Sequence, residues 1–170
     1  MAEKKHTPIA SLGQFAFVDR LCAPFAPLNP STVKGCGDDA AVIDAGDKYM
    51  LFTTDLLLEG VQFDLTYFPL QHLGYKAVVA GISDILAMNG TPRQVTLALG
   101  ISSRFSVETV EQLYEGVRYA CRDYKVDLAG GDMSASVNGL TIAVSAVGEV
   151  AKDKIVYRSG AQVNDLICVT

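Results

Sequence analysis

The residues of this chain best suited to carry chemistry are Asp39, Asp55, Asp84 and Asp132. Asp39 closes the turn Gly35-Cys36-Gly37-Asp38-Asp39, Asp55 follows Thr53-Thr54, and Asp132 follows Gly130-Gly131. All three read as turn or strand-end positions. Asp84, next to Ser83, interrupts an otherwise apolar helical stretch. An unpaired buried carboxylate is costly, so Asp84 needs a partner. A divalent cation would supply one to every member of the set. Mg²⁺ prefers oxygen ligands, keeps several waters and is usually held by a few carboxylates plus substrate phosphates. Glycines beside the carboxylates let the backbone approach a phosphate and offer N–H donors. The lack of a histidine or thiol cluster disfavours zinc. A plainer reading stands beside this one. Asp38 or Asp39 could cap the local turn, and Asp84 could accept a buried hydrogen bond. Composition and spacing leave both open.

Other phosphoryl-transfer signatures are missing. There is no Gly-x-x-x-x-Gly-Lys-Ser/Thr loop, no protein-kinase glycine loop and no His-Arg-Asp segment. The histidines are His6 and His72, and neither belongs to a credible Ser/His/Asp triad.

The elements that must position the aspartates can be read from periodicity. Ile9–Ala26 reads as a helix, ended by Pro24, Pro27 and Pro30. Ala40–Asp44 and Tyr49–Thr54 read as strands around a turn at 45–48. His72–Met88 is apolar almost all round, so it belongs inside the fold. Asn89-Gly90 and Pro92 stop it. Val95–Ile101 alternates as a strand. Ser106 is a suitable N-cap for a helix running to about Tyr124. Val126–Ala129 is a short strand leading into Gly-Gly-Asp, Leu140–Val150 is a long β-rich run, and Asp165–Thr170 begins another strand. The order, roughly αββαβαβββ, suits an α+β domain with helices on one face of a mixed or antiparallel sheet.

The chain has 170 residues, of which 49% are hydrophobic, enough for one domain with a real core. Residues 1–8 read as a flexible tail and 9–170 as the domain. Net charge is −5 and the pI about 4.9, which argues against a nucleic-acid partner. No apolar run approaches the roughly 18 residues that span a bilayer. The start of the chain has no apolar signal core. The four cysteines, Cys22, Cys36, Cys121 and Cys168, form no Cys-x-x-Cys pair and read as reduced thiols of a cytoplasmic protein.

Taken together, these segments resemble the thiamine-monophosphate kinases. The resemblance rests on Gly35-Cys36-Gly37-Asp38-Asp39-Ala40-Ala41-Val42; Thr53-Thr54-Asp55 through Glu59-Gly60-Val61-Gln62-Phe63; Gly74-Tyr75-Lys76-Ala77; Ile82-Ser83-Asp84 through Asn89-Gly90 with Pro92-Arg93; Gly130-Gly131-Asp132; and Tyr157-Arg158-Ser159-Gly160-Ala161 before Asp165. It implies the N-terminal domain of the aminoimidazole-ribonucleotide synthetase-like superfamily. It implies direct transfer of the ATP γ-phosphoryl to thiamine monophosphate, with ATP as co-substrate and several Mg²⁺ ions. By that resemblance Asp39, Thr53, Thr54, Asp55, Asp84 and Asp132 are metal ligands. Tyr114, Gly131, Asp132 and Arg158 meet the nucleotide, and Gln62 meets the substrate. It further implies a homodimer through the N-terminal sheet.

The resemblance departs from the family at two points. Gln62 stands where many members carry a histidine, and it cannot become cationic. Met133-Ser134-Ala135-Ser136 stands where relatives often carry a basic stretch. Because Asp165–Thr170 reads as an unfinished strand, the chain is expected to be a fragment that lacks a following C-terminal domain and has weak or no turnover alone. Two other readings remain: an ATP-dependent synthetase of the same superfamily acting on another metabolite, and a non-catalytic dimerisation or nucleotide-binding module.

Overall fold

Strand pairing carries the sheet well past the lengths that local pattern marks out. The structure, a computed structural model, describes residues 7–169. Its strands are β1 (Thr32–Lys34), β2 (Ala41–Asp44), β3 (Lys48–Leu58), β4 (Thr91–Ile101), β5 (Asp127–Ala135) and β6 (Leu140–Ala151). They form one sheet in the order β1-β2-β3-β6-β4-β5. Every neighbouring pair is antiparallel except β4 and β5, which run parallel. The sheet is therefore mixed.

β6 is the spine. It buries Leu140, Ile142, Val144, Ala146, Gly148 and Val150, every second residue, as a pleated ribbon with one covered face must. Its neighbours bury Leu51, Thr53 and Leu57 in β3 and Val95, Leu97 and Leu99 in β4 on the same side. The α-helices of the described residues are α1 (Gln14–Cys22), α2 (Leu70–Ala87) and α3 (Val107–Tyr124). α2 covers that face with Leu73, Ala77, Val78, Ile82 and Ile85, all with 0% exposure. Burying each of its Leu and Ile side chains is worth about 2 kcal/mol. The opposite face is left uncovered among the described residues, with Phe52 and Leu56 44% and 54% exposed.

α3 packs on α2 through two glycines. A Cβ on Gly74 would sit 1.9 Å from the Leu113 carbonyl oxygen, and one on Gly116 would sit 1.8 Å from that of Gln71. The helix backbones touch here because nothing intervenes. Ser106 caps α3, its Oγ accepting the Thr109 N–H, and Lys125 ends it in the left-handed region.

Several expectations need correction. The helix expected over Ile9–Ala26 is instead a 3₁₀ turn at Ile9–Ser11 and a separate α1. Gly13, at φ 72, breaks the two apart, and Pro24 has no N–H with which to continue. β3 and β5 run on past their expected ends, because β6 and β4 hydrogen-bond to them throughout. Asp55 and Asp132 are therefore strand-interior residues. The strand expected from Asp165 does not form over residues 165–169, which find no partner strand. Thr170 lies outside the described residues, as do residues 1–6 of the expected tail. Thr7 and Pro8 carry no regular structure.

Candidate active site

The Gly-rich turn, the middle of β3 and the last turns of α2 meet at one edge of the helical layer. The turn is held from within. The Asp38 side chain is fully covered, and its Oδ2 accepts from Lys34 Nζ at 2.6 Å. Its Oδ1 accepts the N–H groups of Asp39 and Arg158 at 3.1 and 3.2 Å. The Ala40 N–H donates to Met88 Sδ, which fixes the turn to the end of α2. Asp39 is thereby presented beside Arg158, whose guanidinium donates to Asp39 Oδ1 through both Nε and a terminal nitrogen. Thr53, only 7% exposed, donates from Oγ1 to Asp84 Oδ2 at 2.6 Å and lies 3.2 Å from the Asp39 carbonyl.

Asp55 points to the same side as Thr53, two residues along β3. Burial, and then the negative charge of Asp84, push the Asp55 carboxyl above the usual carboxylate range. The Asp55–Asp84 pair is thus short of positive charge. Arg158 is drawn the other way: Asp39, then Asp38 and Asp84, strengthen its hold on its proton. The constellation is oxygen-rich and hard, with one guanidinium at its rim. That donor chemistry suits a hard divalent cation and a phosphate. Among the described residues no set of three or more Asp, Glu, His or Cys side chains converges closely enough to chelate an ion alone. A cation here would draw on Thr53, water or phosphate for its remaining oxygens.

The other expected site residues stand elsewhere. Thr54 faces the uncovered side of the sheet and accepts from Ser145 Oγ at 3.1 Å. Asp132 pairs with Ala98 in register and is exposed on that side too. Three strand spacings, roughly 14 Å, separate β5 from β3. Gly131 lies against β4, where a Cβ would be 1.9 Å from the Leu97 oxygen. Tyr114 lines an open groove of about 490 Å³ between α3 and β5, with Val110, Met133 and Ser134. Gln62 is engaged locally: its Oε1 accepts the Leu58 N–H at 2.8 Å, and its carbonyl accepts from Lys76 Nζ. Sequence reasoning missed Lys34 and left open whether Asp38 or Asp39 caps the turn, a role that falls to Asp38. The spacing of four between Lys34 and Asp38 was the available signal.

Asp38 carries a pH prediction. Burial pushes its carboxyl up, but Lys34 and the two backbone N–H groups outweigh this and hold it below the usual range. A depressed carboxyl stabilises the fold above its unfolded value and loses that contribution as pH falls through its folded value. Asp38→Asn should therefore lower the melting temperature at pH 7, and the gap should close as pH falls below about 4. Paired thermal melts across pH check this.

Comparison with known proteins fits this geometry. The family described as AIR synthase related protein, N-terminal domain, matches residues 37–150. The chain is 35% identical over 137 residues to the thiamine-monophosphate kinase of Bacillus subtilis, covering 80% of this chain and 42% of that protein. It is 34% identical over 162 residues to that of Aquifex aeolicus, covering 95% and 50%. The solved structure of AaThiL complexed with AMPPCP and TMP superposes with a TM-score of 0.80 at 33% identity, over 94% of this chain and 48% of that one. The hydrogenase maturation protein HypE in complex with ATP shares the fold at TM-score 0.55 and 21% identity, over 84% and 42%. This chain spans about half the length of the curated relatives it matches. With thiamine-monophosphate kinases as its homologues over most of its length, the chain belongs to the family of AIR synthase related proteins, in the N-terminal domain of that family.

Proposed function

We propose that this chain is the metal- and nucleotide-binding part of a thiamine-monophosphate kinase, which phosphorylates thiamine monophosphate to thiamine diphosphate with ATP. The observation that carries the reading is the Asp39–Thr53–Asp55–Asp84–Arg158 constellation in a chain that superposes on AaThiL complexed with AMPPCP and TMP. Asp39, Asp55 and Asp84, with Thr53, would hold magnesium. For Thr54 and Asp132 the support is the motif match alone. Bound magnesium would neutralise charge on the transferring phosphoryl group. The chain's own residues then bind and orient. Thr53 fixes the Asp84 carboxylate, Asp38 fixes the turn that presents Asp39, and Arg158 offers a fork of donors to a phosphate oxygen. Tyr114, Gly131 and Asp132 remain proposed nucleotide contacts, and Gln62 a proposed substrate contact.

A following C-terminal domain belongs to this reading, and the 170-residue chain alone should show little turnover. Thiamine diphosphate and ADP should form from thiamine monophosphate, ATP and Mg²⁺ with the full-length protein and only weakly with the chain alone. Absence of thiamine diphosphate from the full-length reaction would overturn the proposal. No described helix is long and apolar enough to cross a membrane, and a cytoplasmic site of action is part of the same proposal.

Homodimerisation through the uncovered sheet face is proposed as well. Phe52, Leu56 and Leu58 are exposed apolar residues of β3 on that face, and patches of this kind mark association surfaces. Sedimentation should give a dimer for the chain and a monomer for Leu56→Asp, which buries a charge in the joint.

A further inference from the structure

Arg158 engages two neighbouring carboxylates with different parts of itself. Its main-chain N–H donates to Asp38 Oδ1 at 3.2 Å. Its guanidinium donates to Asp39 Oδ1 through Nε and a terminal nitrogen. The segment that carries Arg158 is fastened at further points. The Val156 N–H donates to the Met88 carbonyl at 3.2 Å, and the Asn89 side-chain amide donates to the Lys154 carbonyl at 2.9 Å. The Lys34 ammonium, bonded to Asp38, also lies 4.8 Å from the centre of the Tyr157 ring. None of these contacts uses the guanidinium. The Arg158 side chain can therefore leave Asp39 while the backbone beneath it stays in place.

The ion pair itself is open to exchange. The side chains of Arg158 and Asp39 are 50% and 23% exposed. Both hydrogen bonds fall on Oδ1, and Asp39 Oδ2 accepts from no group among the described residues. An ion pair this close to water is held weakly, because solvent screens it. A divalent cation on the same carboxylate carries twice the charge at a shorter distance. Once Asp39 is neutralised in that way, nothing holds the guanidinium there, and the cation repels it.

On the reading that Asp39, Asp55 and Asp84 hold magnesium, on which this rests, we propose that Arg158 is a placeholder for the cation. Without metal, its guanidinium neutralises Asp39. With magnesium bound, Arg158 gives up Asp39 and swings, about a backbone still anchored on Asp38, towards a phosphate oxygen of the nucleotide. Its planar fork of donors suits a phosphate as it suits a carboxylate. The exchange delivers the guanidinium only to a site that already holds metal. Nucleotide arriving without magnesium finds Arg158 engaged.

Calorimetric titration of the 170-residue chain with Mg²⁺, in the absence of nucleotide, tests this. Arg158→Gln should bind Mg²⁺ about fivefold more tightly than the parent, the upper scale for an exposed ion pair. Arg158→Lys, which keeps the charge and loses the fork, should fall between the two. A nearby positive charge weakens cation binding even without contact, and a cycle with Asp39→Asn separates the two effects. In the Asp39→Asn background, Arg158→Gln should add almost nothing. In NMR spectra the Arg158 Nε–H signal should move as Mg²⁺ is added, while its backbone N–H stays protected from exchange. The proposal is overturned if Arg158→Gln binds Mg²⁺ no more tightly than the parent, if the gain persists in the Asp39→Asn background, or if the Nε–H signal stays put at saturating Mg²⁺. An unchanged affinity in Arg158→Gln beside a weakened one in Asp39→Asn overturns the exchange alone. Parent-like affinity in both Asp39→Asn and Asp84→Asn overturns the magnesium reading, and the exchange with it.

Discussion

Gly116→Ala should cost the fold about 3 kcal/mol or more, a large part of the roughly 5–15 kcal/mol that typically holds a domain together. The added methyl would lie 1.8 Å from the Gln71 carbonyl oxygen and 2.8 Å from the Tyr75 nitrogen. Both are backbone atoms of α2, so no side chain can swing aside, and the two helices must separate. Separation exposes Leu73, Ala77, Leu113 and Val117, which meet across this contact with 0 or 1% exposure. Alanine gains about 1 kcal/mol of helix propensity over glycine, which offsets only part of the loss. Urea unfolding should show a lower midpoint with little change in slope. Gly160→Ala is the contrast: its Cβ meets nothing within 4 Å, and it should unfold almost as the parent does. A Gly116→Ala chain as stable as the parent would mean that the helices do not approach this closely.

How far the sequence foretold the fold depended on whether a signal was local. α3 was legible over its whole length, since its cap and its period both lie within it. The alternation of β6 was equally plain. The ends of β3 and β5 were not, because a strand stops where its partner stops. The same reason explains the segment after Asp165, which has β-prone residues and no partner. The site shows one further limit. Thr53, Thr54 and Asp55 were grouped by the family resemblance, but side chains alternate along a strand. Thr53 and Asp55 therefore face α2 while Thr54 faces away, and the same alternation separates Gly131 from Asp132. The pairing of Arg158 with Asp39 spans 119 positions. No local pattern announces such a pair, and only the motif match singled out both residues.

Asp84→Asn should separate folding from phosphoryl transfer. The asparagine side chain keeps an oxygen that can accept from Thr53, so the hydrogen bond now 2.6 Å long can survive. The substitution removes the negative charge that helps push the Asp55 carboxyl up. In magnesium-free buffer the chain should therefore be at least as stable as the parent, and the Asp55 carboxyl should titrate closer to its ordinary value by NMR. Activity should move the other way. If Asp84 helps hold magnesium against the transferring phosphoryl group, the full-length enzyme should lose on the order of 100-fold in kcat, the scale of losing one preorganised electrostatic partner. A merely structural Asp84 predicts the opposite pair of results: lower stability, and activity lost only in proportion to unfolded enzyme. The two readouts together therefore discriminate, because a carboxylate kept beside another carboxylate at a cost in repulsion is best explained by a cation that binds them both.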